Sequence, residues 1–195
     1  MSAQGDLEKV KQIFAYVNQE NISVEEMGVT INEANQGNNP TLVDSNSGYN
    51  RRTPLILAAW CGHHQVCEYL ITEQKANLEA RDGDQRTALI QAAISNNTKI
   101  LKVLLQNNAN AKAKDRYRRH AAYLASYDGN LDALKMLVKY DGDVIDLKGW
   151  NGETPLIAAS RSGMVDVCKY LVAEINANLK LKDNYGMIVS TCKKS

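Results

Sequence analysis

Four stretches of this chain read alike. RRTPLILAAWCGHHQVCEYLI begins at Arg51, QRTALIQAAISNNTKILKVLL at Gln85, RRHAAYLASYDGNLDALKMLV at Arg118 and GETPLIAASRSGMVDVCKYLV at Gly152. Aligned on the residue that opens each unit, Thr53, Thr87, His120 and Thr154 are 34, 33 and 34 residues apart. This period constrains the fold more than composition does. A unit this short cannot bury its apolar face alone, so the copies must stack and share a core between neighbours.

Each copy has the same local physics. Thr caps a short helix, and Pro or Ala follows at the first helical position, where a missing N–H costs nothing. Small residues such as Ala58–Ala59 and Ala92–Ala93 let a neighbouring helix approach closely. Gly62, Asn96, Gly129 and Gly163 break the chain in a tight turn. A second helix follows with apolar residues at helical spacing, as in Val66, Tyr69 and Leu70 or Val167, Tyr170 and Leu171. A polar, partly extended segment leads to the next copy.

The pattern TPLxxAAxxG, a second helix ending in a pair of apolar residues, and an extended connection resembles the ankyrin repeat family over residues 48–190. The resemblance implies an all-α solenoid of helix-turn-helix units with short β-hairpin tips, about four full repeats and a partial repeat at each end. On this reading 1–195 is one domain. Residues 1–47 form a half-repeat with a polar insertion, 48–80, 81–113, 114–146 and 147–180 are full repeats, and 181–195 is a truncated one. Two departures stand out. The His that follows TPL in the family is Ile56, Ile90 and Ile157 here, so apolar packing is expected where the family has inter-repeat hydrogen bonds. In the third copy the opening Thr-Pro is His120-Ala121, which predicts a weaker cap and the soft point of the array.

The ends are atypical. Gly5–Phe14 reads as the second helix of a leading half-repeat, Ser23 and Glu26 as a capping box, and Asn32–Gly48 as a polar loop. At the other end KDNYGMIVSTCKKS starts a fifth copy and stops after its first helix, leaving Met187, Ile188 and Val189 without an outer helix.

Composition bounds the function. The net charge of +1 gives no global push toward nucleic acid or a membrane surface. It is unevenly spread, −5 over residues 1–50 and +6 over the rest. The start lacks the apolar core of a secretory signal, and no apolar run nears the ~18 residues of a membrane span. The four cysteines, Cys61, Cys67, Cys168 and Cys192, form no CxxC pair. Reduced thiols and a cytoplasmic setting are expected, with the nucleus as the alternative. Cys61, His63, His64 and Cys67 lie close together, yet Cys67 recurs as Cys168 at one repeat position, which marks packing rather than zinc. Asp82-Gly83-Asp84 lacks the other ligands of a calcium loop. No metal, cofactor or catalytic residue is expected, because no nucleophile, base and third group converge by spacing.

Binding is the expected role. The resemblance implies that partners lie along the concave palm formed by the first helices. Palm positions fall four and seven residues after each opening residue: Leu57 and Trp60, Gln91 and Ile94, Leu124 and Tyr127, Ala158 and Arg161. Of these, Leu57, Trp60, Ile94, Leu124, Tyr127 and Arg161 are candidate contacts for a protein partner, Trp, Tyr and Arg being the types that dominate hot spots. A second candidate is the row of tips. Lys112–Arg119 holds five basic residues and one acid. With Arg86, Arg116, Arg118 and the interleaved Tyr49, Tyr117 and Trp150, it predicts a basic, aromatic ridge suited to an acidic protein segment. The leading expectation is a non-catalytic interaction module or adaptor. Alternatives are a permanent structural subunit of a larger assembly and nucleic-acid binding through the ridge.

Overall fold

The computed structural model describes residues 52–189. Among these, four helix pairs follow one another: α1 Pro54–Cys61 and α2 His64–Thr72, α3 Ala88–Ile94 and α4 Thr98–Gln106, α5 Ala121–Asp128 and α6 Leu131–Tyr140, α7 Pro155–Ser162 and α8 Val165–Lys169. A π-helical turn, Tyr170–Glu174, extends α8. First helices stack on first helices in chain order, and α2, α4 and α6 stack behind them as an outer layer. The expected leading half-repeat, its capping box, the polar loop and Tyr49 lie outside the described residues, as does the end of the fifth copy.

The caps form as the sequence directs. The N–H of Ile56 donates to Thr53 Oγ1 (3.3 Å), that of Ile90 to Thr87 Oγ1 (3.4 Å) and that of Ile157 to Thr154 Oγ1 (3.4 Å). The third copy corrects the expectation of a weaker cap. The N–H of Tyr123 donates to Nδ1 of buried His120 at 3.4 Å. Nδ1 must then be the unprotonated nitrogen, so Nε2 carries the hydrogen and donates to the carbonyl of Leu147 at 2.9 Å. His120 thus replaces the Thr cap and adds a bond to the next repeat. Burial pushes its pKa down to about 4, which keeps the ring neutral in this role.

Each pair turns through a left-handed residue, Gly62, Asn96, Gly129 or Gly163, at φ between 50° and 80°. Buried alanines on the first helices, among them Ala59, Ala92, Ala93, Ala125 and Ala159, permit the close stacking. Leu70, Leu101, Leu104, Leu134, Leu137 and Leu171 fill the space behind. Ile56, Ile90 and Ile157 are buried, in line with apolar packing at the position of the family's His.

Where hairpin tips were expected, the described residues show turns, each bracketed by a backbone bond from its first residue to its last, Asp82 N–H to Arg86 O, Asp115 to Arg119, Gly149 to Glu153 and Asp183 to Met187, with a further backbone bond back to the first residue inside it. One isolated bridge joins Lys114 and His120. In three of the turns an aspartate organises the loop. Asp82 Oδ1 accepts from the N–H groups of Asp84 and Arg86, and Asp115 and Asp183 repeat the arrangement. The aspartate of the would-be calcium loop is therefore a turn residue.

Equivalent basic residues then tie each tip to the next. Arg81 Nη1 donates to the carbonyl of Lys114 (2.6 Å), Lys114 Nζ to that of Lys148 (2.7 Å) and Lys148 Nζ to that of Lys182 (2.8 Å). Each link is a charged donor on a backbone acceptor, stronger than a neutral pair.

Candidate functional site

The two palm positions behave differently. Those seven residues after the opening residue stay in reach of solvent: Trp60 is 42% and Tyr127 44% exposed, and the Arg161 side chain 40%, while Ile94 is half-buried. Those four residues after it point into the stack. Gln91, Leu124 and Ala158 are buried and Leu57 is half-buried. Leu124, expected as a contact, belongs to the core, because neighbouring first helices close over that position.

The basic ridge is also corrected. Lys112 pairs with Asp143 (2.9 Å) and Asp141 (3.2 Å), Arg116 with Asp84 (3.2 Å), and Lys114 is a link of the carbonyl ladder. Arg86 is half-buried with a buried Nε that makes no hydrogen bond among the described residues, and its charge acts on Asp128. Arg118 is exposed at its tip in a left-handed conformation, φ 64°. Most of these cations hold repeats together rather than forming a free charged edge.

What the structure brings together is a groove of about 480 Å³ between the third and fourth helix pairs. Tyr117 and Arg119 stand on one tip, Trp150 on the next, and Tyr123, Tyr127 and Arg161 on α5 and α7. The Tyr123 and Tyr127 rings stack, 6.5 Å apart and 9° from parallel. Arg119 lies over the Tyr117 ring at 4.7 Å and Arg161 over the Trp150 ring at 4.8 Å. Buried carboxylates fix both guanidiniums. Arg119 reaches Asp115 Oδ2 through Nε (2.8 Å) and Nη2 (2.7 Å). Arg161 Nη2 donates to Glu153 Oε2 (2.7 Å) and to the Tyr123 hydroxyl (3.3 Å), which itself donates to Glu153 Oε2 at 2.8 Å. Burial pushes the Glu153 carboxyl up from its ordinary value, against the downward pull of Tyr123 and Arg161. It raises the Tyr123 hydroxyl too.

Residues 2–115 and 109–183 match the family model for ankyrin repeats, in three copies. The chain belongs to the ankyrin-repeat family. Ankyrin repeats are generally protein–protein interaction modules and generally non-catalytic. A comparison with curated proteins gives no match. None of the described helices is long and apolar enough to cross a membrane.

Within this ankyrin array the groove coincides with the places where the chain breaks its own repeat. Tyr123 stands where the other copies have Ile56, Ile90 and Ile157. Gly149 stands where the other turns have Asp82, Asp115 and Asp183. Glu153 stands where the other copies have Arg52, Arg86 and Arg119, and Arg161 where they have Trp60, Ile94 and Tyr127. The last pair is a charge moved across the junction, from the tip to the palm. At the first junction Arg52 from the tip covers palm Trp60 at 4.3 Å and pairs with Asp82 at 3.8 Å. At the last, palm Arg161 covers tip Trp150. Arg119 lies at the end of the expected basic ridge, but Tyr123 and Glu153 are not among the contacts expected from sequence. Their signal was available as departures from the repeat and as a pair, Glu153 with Arg161, eight residues apart.

Proposed function

We propose that this chain is a non-catalytic protein-binding module that holds its partner in the groove between the third and fourth repeats. One observation carries the reading: four departures from the repeat pattern meet at one junction, where Tyr123 and Arg161 line the groove, buried Glu153 holds both and Gly149 leaves room for the Tyr123 ring. Sequences give up local consistency mainly where function requires it. The surface combines exposed Tyr and Trp with ordered Arg, the residue types of binding hot spots. The ring stacking and buried ion pairs order it before a partner arrives, which lowers the cost of binding. Nucleic acid has less support, because Lys112, Lys114 and Arg116 are already engaged with acids or carbonyls.

The test is a selection of displayed protein fragments and peptides on the immobilised full chain. Binders should lose about thirtyfold or more in affinity with Tyr127→Ala/Trp150→Ala, at unchanged helical content. They should be indifferent to Trp60→Ala at the first junction. Binders untouched by the double substitution would remove the groove as the site.

A further inference from the structure

Resting on the groove as a partner site, we infer that its occupant is an acidic linear segment: an Asp or Glu carboxylate set against Arg161 and Arg119, next to an aromatic or apolar side chain lying on Tyr127 and Trp150. The guanidinium valences point to the carboxylate. Arg161 spends Nη2 on Glu153 and Tyr123, and its Nε and Nη1 make no hydrogen bond among the described residues. Arg119 spends Nε and Nη2 on Asp115, and its Nη1 is likewise unclaimed. Two guanidiniums on one groove thus keep N–H donors for an anion, and each is already held on a ring by a buried carboxylate.

The wider charge agrees. Over residues 114–128 and 150–162, five Lys and Arg face three Asp and Glu. One of the three, Asp128, has its carboxyl pushed up by burial. His120, the histidine of this stretch, is neutral in its buried site. The rings supply the second half of the specificity. Tyr117, Tyr127 and Trp150 remain 39–48% exposed after their intramolecular stacking, enough to cover a planar or branched side chain.

A cationic occupant meets the opposite situation. Both guanidiniums repel it, and the carboxylates Glu153 and Asp115 are buried and spoken for. A nucleic-acid strand would gain stacking, but it brings a phosphate at every nucleotide to a junction of small net charge.

The experiment uses the full chain carrying Trp60→Phe, so that Trp150 is the one tryptophan reporting. The probe is a blocked peptide, acetyl-Gly-Ser-Phe-Glu-Leu-Ser-Gly-amide, with Gln and Lys versions at the Glu position. The Glu peptide should change the Trp150 emission saturably below about 1 mM. The Gln version should bind about tenfold or more weakly, and the Lys version weaker still. Arg161→Gln/Glu153→Gln, which keeps the buried site neutral and hydrogen-bonding, should markedly reduce the preference for Glu over Gln at unchanged circular dichroism, Arg119 retaining the remainder, and an unchanged preference would overturn the role of Arg161. Equal binding of the Gln peptide, preference for Lys, absence of saturation by the Glu peptide, or displacement of the Glu peptide by a single-stranded oligouridylate at lower concentration would each overturn the acidic occupant. None of these touches the parent reading if the display selection still yields groove-dependent binders. A selection without such binders removes the parent reading itself.

Discussion

The Cβ that Gly149 lacks would stand 2.6 Å from Cδ2 of Tyr123 and 3.0 Å from its Cγ. Residues on two different repeats have therefore changed together: the larger side chain at 123 requires the missing one at 149. Gly149→Ala should force the ring out of its stack and cost about 1–3 kcal/mol, as overpacking does. Tyr123→Ile, the residue of the other three copies, should restore most of that loss when combined with it. Urea denaturation of the two single variants and the double gives the coupling directly. Additive effects would show that the ring does not depend on the glycine.

The repeat, its caps and its turns were legible because they rest on local physics: a Thr side chain reaching the third N–H, and Gly or Asn at a left-handed φ. Leu124 was misplaced for the opposite reason. Helical period says that positions four and seven share a face, but not which of them the next helix covers. The basic ridge misled because its cations are taken up by the neighbouring tips, Lys112 and Arg116 by carboxylates one repeat away and Lys114 by the carbonyl of Lys148, and partners that far along the chain leave no mark on local spacing. His120 looked like a weak cap because a cap ranking does not count a second bond made across the repeat boundary to Leu147.

His120 makes the third repeat sensitive to acid. Its pKa falls from 6.5 to about 4 on folding, chiefly through burial. Stability from this residue is therefore full above about pH 6.5 and is lost progressively as pH falls toward 4, by about 3 kcal/mol. His120→Thr keeps a cap, gives up the Leu147 bond at a cost of about 1 kcal/mol near neutral pH, and should flatten that acid dependence. Thermal unfolding across this range checks it. An unchanged slope in the variant would mean that another group carries the sensitivity.

Thiol chemistry should separate two cysteines six residues apart. Cys61 is exposed at the end of α1, whereas Cys67 is buried in α2. Burial, with Cys61 adding to it, pushes the Cys67 thiol up to about 12. At about pH 8 iodoacetamide should modify Cys61 in the folded chain and leave Cys67 intact until urea is added, because the thiolate is the reactive form. Peptide mass mapping distinguishes the two sites. Equal labelling under native conditions would show that α2 opens readily or that the packing role is mistaken.

The Arg161–Glu153 pair should be worth more to break on one side than to remove. Glu153 is buried, with its side chain 4% exposed, and both Arg161 and Tyr123 reach its Oε2. Arg161→Met strands that carboxylate, so it should destabilise by about 2–3 kcal/mol, below the full cost of a broken buried pair because Arg161 is part-exposed. Arg161→Met/Glu153→Gln should recover much of the loss, since a neutral amide can still accept from the Tyr123 hydroxyl. The pH dependence has a definite sign. The Glu153 carboxyl is raised above its ordinary value of 4.5 by burial, and removing Arg161 raises it further. The single variant should therefore lose least in acid, where Glu153 is protonated, and increasingly more as pH rises and the unpaired carboxylate must ionise. Denaturation of all four forms at acid and neutral pH measures the coupling. A coupling that is the same at both would show that Glu153 keeps its charge state without Arg161.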